Sequence, residues 1–457
     1  MRSLTIYFLL ALICRTAAAL LLPVTSDELG YSMPSIECIL KGDFLIYMYH
    51  NTYFAPINEY VAAVLFHLFG PSVFSLRASE IIFGSLGAVC WWQNLKPFLS
   101  SRWQEICLAG LLAFPSSSFL AMGYSFGFFL MSLMFMFTIQ LTVDSSLRKL
   151  LAFGFYCGIC LYLFPLIKIL IVPCWLVLLI TQTSLGSELP RWVRSTPVKR
   201  RTLVLILLAG TFFALFPTVY HYYTRPTNYH PPAWVIVTLV TAFLTSLGGA
   251  LILFKDIRLD WKSLAPYACC LVLMLVIPAI PEYFFQKHFA SLSPETQNMY
   301  WSASKPCLEH LHNWPVRTIF TLQQILPQAV AGLLPYAQPM EGGYVTNTSL
   351  PWYYFAMGFS VWVVLLVGSL RSLTDPERRL PGFILSFCIH GIILLFFTSY
   401  YSANYYNFRY LSVFVGGMFF LADCAFKNNA AGKFILTSVM LLGAADLISN
   451  FTSLARL

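Results

Sequence analysis

Residues 4–31 read LTIYFLLALICRTAAALLLPVTSDELGY, and two features of that stretch decide the fold class. Leu4 to Pro23 is apolar over about 20 residues, the length an α-helix needs to cross a bilayer. The run ends at Thr25-Ser26-Asp27-Glu28-Leu29-Gly30-Tyr31, which sets two adjacent carboxylates at the mouth of the span. Carboxylates are costly to desolvate at that depth. The pair is therefore either a polar loop start that caps a helix or a working part of the protein.

The whole chain repeats this pattern. Its 457 residues are 58% hydrophobic and only 10% charged, with a mean hydropathy of +0.71. Soluble domains carry about 25% charged residues. The expected fold is an all-α polytopic membrane protein of about 13 transmembrane helices. Candidate spans fall at 4–23, 73–95, 104–122, 125–143, 149–164, 166–183, 202–222, 233–254, 264–282, 353–370, 380–399, 410–426 and 433–450. The two short spans after Lys149 read as a hairpin or as one long tilted helix. Met1-Arg2 and the first run could also form a signal peptide, with Ala17-Ala18-Ala19 as its cleavage site. Leu20-Leu21-Leu22-Pro23 stands where cleavage would be expected, so an uncleaved first span is the reading adopted.

Positive charge tests the map. With the N-terminus cytoplasmic, the inner loops hold Lys96 and Arg102, Arg148 and Lys149, then the cluster from Arg191 to Arg201. Lys255, Arg258 and Lys262 follow, then Arg371, Arg378 and Arg379, and finally Lys427 and Lys433. These are most of the chain's 28 basic residues. The net charge of +9 is thus a topology signal, and nothing suggests nucleic-acid binding.

Two long segments face outward, 24–71 and 284–352. The expected organisation is an N-terminal transmembrane module (1–283) with a catalytic first outer loop, an outer-face loop region (284–352) and C-terminal transmembrane helices (353–457). Within the first loop, Asn58 to Phe69 is too short for a span and stops at Gly70-Pro71. It reads as a helix lying at the membrane surface, and Ser35 to Leu40 as a second one. The outer face has no ready supply of ATP or nucleotide sugars, so an enzyme there needs an activated donor delivered through the lipid.

An ordered series of motifs in this region resembles a known family. Asp27-Glu28-x-x-Tyr31 is followed by Lys41-Gly42-Asp43, Tyr53-Phe54-x-Pro56, Leu68-Phe69-Gly70 and Phe74-Ser75-Leu76-Arg77. The series is similar to the opening of GT-C fold membrane glycosyltransferases, in the protein O-mannosyltransferase and aminoarabinose transferase branch. The likeness covers residues 1–185, and Arg409-Tyr410-Leu411 before a late span also resembles the family. Aminoarabinose transferases carry an acidic-basic pair after Tyr-Phe. Here Ala55-Pro56 follows, and the nearest carboxylate is Glu59.

The resemblance implies a polyprenyl-phosphate-linked sugar as donor and an acceptor hydroxyl on a glycan, lipid or protein. It implies Asp27 as general base, with direct attack and inversion at the anomeric carbon. Glu28 could assist, bind a sugar hydroxyl, hold a divalent cation or serve only as a cap. A phosphate calls for cations. Lys168 matches the family's pattern after Phe164-Pro165-Leu166-Ile167, though a lysine there also snorkels to headgroups. Arg409 could meet the phosphate or anchor to lipid. Tyr31, Tyr53 and Glu59 are candidate donor or acceptor contacts, and Arg77 reads as a structural interfacial residue. The expected location is the bacterial inner membrane with the site on the periplasmic face, or the endoplasmic reticulum membrane.

Other readings remain. Glu309-His310-Leu311-His312 could bind a metal or be ordinary loop residues. Cys38 and Cys307 could pair. Asp423 and Asp446 read as headgroup-level acids near span ends, and His390 as a buried ionisable group. A ligase or polymerase of O-antigen type would place its chemistry around His310 and Arg317. A non-catalytic lipid or solute transporter would show related halves, and none is evident.

Overall fold

The computed structural model describes residues 2–21, 24, 28–48, 55–113, 124–183, 261–289, 322, 352–398, 411 and 413–426. Every regular element among them is helical. In chain order these are α1 (Arg2–Leu21), α2 (Met33–Leu40), α3 (Ile57–Phe69), α4 (Val73–Leu95), α5 (Ser101–Ala113) and α6 (Tyr124–Val143). They continue with α7 (Leu147–Leu163), α8 (Lys168–Gln182), α9 (Trp261–Phe289), α10 (Trp352–Thr374), α11 (Arg379–Thr398) and α12 (Val415–Phe426). Three stretches are long and apolar enough to cross a membrane: Val73–Phe98, Tyr124–Val143 and Leu264–Phe289. Shorter apolar helices include Ser3–Ala17, Lys168–Gln182, Gly358–Thr374, Arg379–Ile393 and Val415–Phe426. The expected spans at 202–222, 233–254 and 433–450 lie outside the described residues, as do Glu309, His310, His312, Arg317, Cys307 and Asp446. Helix α9 continues to Phe289, past the boundary expected at residue 283.

Side-chain contacts fix the relative direction of the helices. Between α1 and α4, Tyr7 meets Trp92 edge to face and Ala19 packs on Ile81, so the two run antiparallel. Helices α4 and α6 run parallel, with Phe83 on Phe126 and Trp91 on Phe135. Helices α7 and α9 are also parallel. A Cβ on Gly154 would lie 2.8 Å from Cys270, and one on Gly158 would lie 2.8 Å from Ile277. This small-x-x-x-small spacing lets two backbones approach where lipid offers no hydrophobic drive to association. Helix α8 turns back on α7, because Ser145 just before α7 bonds Gln182 at the end of α8. The segment after Lys149 is therefore a hairpin. Each of these directions agrees with the alternation expected from charge.

One end of the helix set is tied together by Asp423 of α12. Its carboxylate accepts the Ser100 amide (2.9 Å) and hydroxyl (2.8 Å) at the start of α5 and pairs with Arg378 at 3.1 Å. Asp423 is only 1% exposed. It meets protein instead of the expected headgroups, because α5 and α11 both begin at that level. His390 shares a 2.9 Å hydrogen bond with Ser369 of α10.

Candidate active site

The opposite ends of the helices are organised by the segment between α1 and α4. A single π-turn, Glu28–Ser32, leads into α2. Helix α2 stops at Lys41-Gly42-Asp43, where the Gly42 amide bonds Ile39 O and the Asp43 amide bonds Cys38 O. Gly42 sits at φ +97. This paired closure over a left-handed residue is a Schellman cap, and it explains that motif physically. Ile36 of α2 then packs against Ala62 and Ala63 of α3.

A strap follows α2 and is fastened at three points. Leu45 exchanges hydrogen bonds with the Tyr60 hydroxyl, at 2.8 and 3.1 Å. The Tyr162 hydroxyl of α7 donates to Ile46 O at 2.8 Å, and the Tyr47 hydroxyl donates to Glu282 of α9 at 2.9 Å. Leu45 and Tyr47 pack on Phe285 and Phe289. Helix α3 ends at Gly70, φ +82, and Ser72 caps the start of α4 through the Ser75 amide. Val64, Leu68 and Phe69 of α3 remain exposed, as the surface-helix reading requires.

Beneath this loop lies a cluster of buried polar groups. Glu28 is 1% exposed and Arg77 is fully buried. Arg77 grips Glu28 with two parallel hydrogen bonds, Nε to Oε1 at 2.5 Å and Nη2 to Oε2 at 2.7 Å. Its Nη1 donates to Ala19 O near the end of α1 at 2.5 Å. The planar guanidinium suits this two-point grip. Arg77 was expected at the interface as a structural residue; the structure buries it and gives it Glu28 as partner.

Three residues on, Glu80 occupies the same face of α4. It accepts the Asn58 amide at 2.6 Å and the Ser125 backbone N–H at 3.0 Å. One turn further, Gly84 leaves room for Arg15, since a Cβ there would lie 2.9 Å from Arg15 Nε. Arg15 donates to Leu111 O and Leu112 O at the end of α5, at 3.1 and 3.3 Å. Sequence reasoning singled out none of Arg15, Asn58 and Glu80. A usable signal was present: a lone arginine inside the first apolar run, and an arginine and a glutamate three apart at the start of the second.

Glu59 sits in the third position of α3, where a carboxyl group suits the helix dipole. It is 2% exposed and accepts the Ser32 hydroxyl at 2.9 Å. Burial pushes its carboxyl from 4.5 up to about 7, and the hydrogen bonds only partly oppose that. Tyr31 is half-buried against the main core, and its carbonyl accepts the Ser35 hydroxyl. Lys168 is half-buried as the first residue of α8, directly after the turn Pro165–Ile167. Asp27, Tyr53 and Arg409 lie outside the described residues. Glu28, Glu59, Ser32, Arg77 and Glu80 are thus drawn together by the π-turn before α2, by α3 and by α4. Among the described residues, no group of three or more His, Cys, Asp or Glu side chains could hold a metal ion.

No family model and no curated protein matches the chain. Among solved structures, it is similar to a crystal structure of ArnT from Cupriavidus metallidurans bound to undecaprenyl phosphate. That likeness spans 90% of this chain and 77% of the other, at 16% sequence identity and a TM-score of 0.31. A superposition that loose fixes no residue correspondence.

Proposed function

We propose that this chain is an integral membrane glycosyltransferase of GT-C type. It moves a sugar from a polyprenyl-phosphate donor to an acceptor hydroxyl at the outer face. One observation carries the reading: the bidentate, fully buried hold of Arg77 on Glu28. Asp27 directly precedes Glu28 in the sequence. Two adjacent acids then have different work. Glu28 is committed to Arg77, and Asp27 is left to act as base.

In this reading the Asp27 carboxylate takes the acceptor hydroxyl proton as the oxygen attacks the anomeric carbon. The new carbon–oxygen bond forms as the sugar–phosphate bond breaks, and configuration inverts. The leaving polyprenyl phosphate keeps the bonding electrons, and Lys168 and Arg409 balance its charge. Glu59 keeps its proton up to about pH 7, which suits it to donate a hydrogen bond to a sugar hydroxyl, with Tyr31 and Tyr53 as further contacts. The site opens to the periplasm if the host membrane is a bacterial inner membrane, and to the lumen if it is the endoplasmic reticulum.

The test is transfer by the purified full chain, in lipid, from a panel of polyprenyl-phosphate sugars. A general base contributes about 100- to 10,000-fold. Asp27→Asn should therefore lose at least about 100-fold in kcat with membrane insertion unchanged. Full transfer by that variant refutes the assignment. Loss in His310→Ala, Arg317→Ala with retention in Asp27→Asn would move the chemistry to the second outer loop.

A further inference from the structure

We propose that Glu80 is a positioning residue of this site, holding Glu59 and the outer end of α6 in fixed relation through Asn58 and Ser125. The proposal rests on the transferase reading and names a residue that reading does not use. Helix α4 presents Arg77 and Glu80 on one face, one turn apart. Arg77 fixes Glu28; Glu80 fixes the neighbour of Glu59. Its two oxygens have separate tasks, Oε1 toward Asn58 at 2.6 Å and Oε2 toward the Ser125 N–H at 3.0 Å. A carboxylate only accepts, so the Asn58 amide nitrogen must face it. That orientation sends Asn58 Oδ1 the other way, where it is buried with no hydrogen-bond partner among the described residues. A buried amide oxygen left without a donor is unfavourable. The α3 start tolerates it because Glu80 dictates which way the amide points. Asn58 immediately precedes Glu59 in the first turn of α3, so the direction of one side chain constrains the other.

The chemistry of the pair supplies its own test. In Glu80→Gln only one side-chain atom accepts, and the new amide faces either the Asn58 amide or the Ser125 N–H, donor against donor. In Asn58→Asp two carboxylates face each other. In the combined variant Asn58→Asp, Glu80→Gln the glutamine amide donates to the aspartate and its oxygen accepts Ser125. Transfer kinetics should be measured on the full chain in lipid, with melting temperature and the infrared band of the protonated Glu59 carboxyl, assigned by subtraction of Glu59→Gln. A displacement of about 1 Å at a reacting geometry costs about 100-fold.

Each single variant should lose kcat on that scale with KM within about threefold, and the combined variant should recover most of it. Unchanged kcat in the single variants overturns the proposal. So does a loss that follows melting temperature without recovery in the combined variant. If the unsubstituted chain transfers no sugar, the transferase reading fails on its own, and the band decides the positioning claim. Movement of the band in both single variants and its return in the combined one support the claim; a band that stays put overturns it.

Discussion

Burial holds the proton on Glu59 up to about pH 7, against 4.5 when the side chain is free in water. The folded chain therefore binds more protons than the unfolded chain between those values. Stability contributed at this position is greatest below about pH 4.5 and declines as pH rises toward 7. The loss reaches the order of 3 kcal/mol, at about 1.4 kcal/mol for each tenfold change in proton concentration. Glu59→Gln should remove that slope, so its melting temperature should gain on the unsubstituted chain from pH 5 to about pH 7 and then level off. The Glu28–Arg77 pair makes a different prediction. Glu28→Gln leaves a buried guanidinium without its counter-charge, a loss of about 3–5 kcal/mol. Removing both charges in Glu28→Gln, Arg77→Met should cost less than the single change, as read by thermal melting in detergent. The sequence made Asp27-Glu28 conspicuous, because acids at a span mouth are costly. It could not say which acid was engaged, since the partner lies 49 positions away. Asn58 and Glu80 stayed hidden for the same reason: nothing local shows which helix faces meet.

At the level of elements, the apolar runs and their punctuation located the helices. Gly70-Pro71 ends α3, Ser72 starts α4 and Gly42 closes α2, all by local chemistry that a sequence carries. The contacts between helices were less visible, because they depend on small residues meeting a particular neighbour. Gly368 of α10 illustrates this, since any Cβ there would press into the backbone carbonyl of Leu421 on α12. Backbone cannot yield as a flexible side chain can. Gly368→Ala should part α10 from α12 and lower the melting temperature markedly. Gly391→Ala, with nothing within 4 Å of the added carbon, should leave it unchanged.

For the whole molecule, the direction of each helix pair can be checked from the two sides of the membrane. Phe44 is 75% exposed on the strap, and Leu147 is 58% exposed at the start of α7. A membrane-impermeant thiol reagent added outside should label Phe44→Cys above background, and Leu147→Cys only after permeabilisation. The reverse pattern would invert the topology. The alternation of helix directions was legible because basic clusters recur at alternate turns. The parallel pairing of α7 with α9 was not, because it joins elements about a hundred residues apart.

The strap has a mechanical consequence. Helix α9 has 29 residues, about 43 Å at 1.5 Å per residue, while the hydrocarbon layer is about 30 Å thick. Its apolar stretch, 264–281, matches that layer at about 27 Å, so the turns from Glu282 to Phe289 extend past it. Its outer end does not move alone, for Glu282 holds Tyr47 and the Tyr47 segment holds Tyr60 of α3. The end of α9 and the helix that carries Glu59 are thus coupled through two tyrosine hydroxyls, so a shift of one is passed to the other.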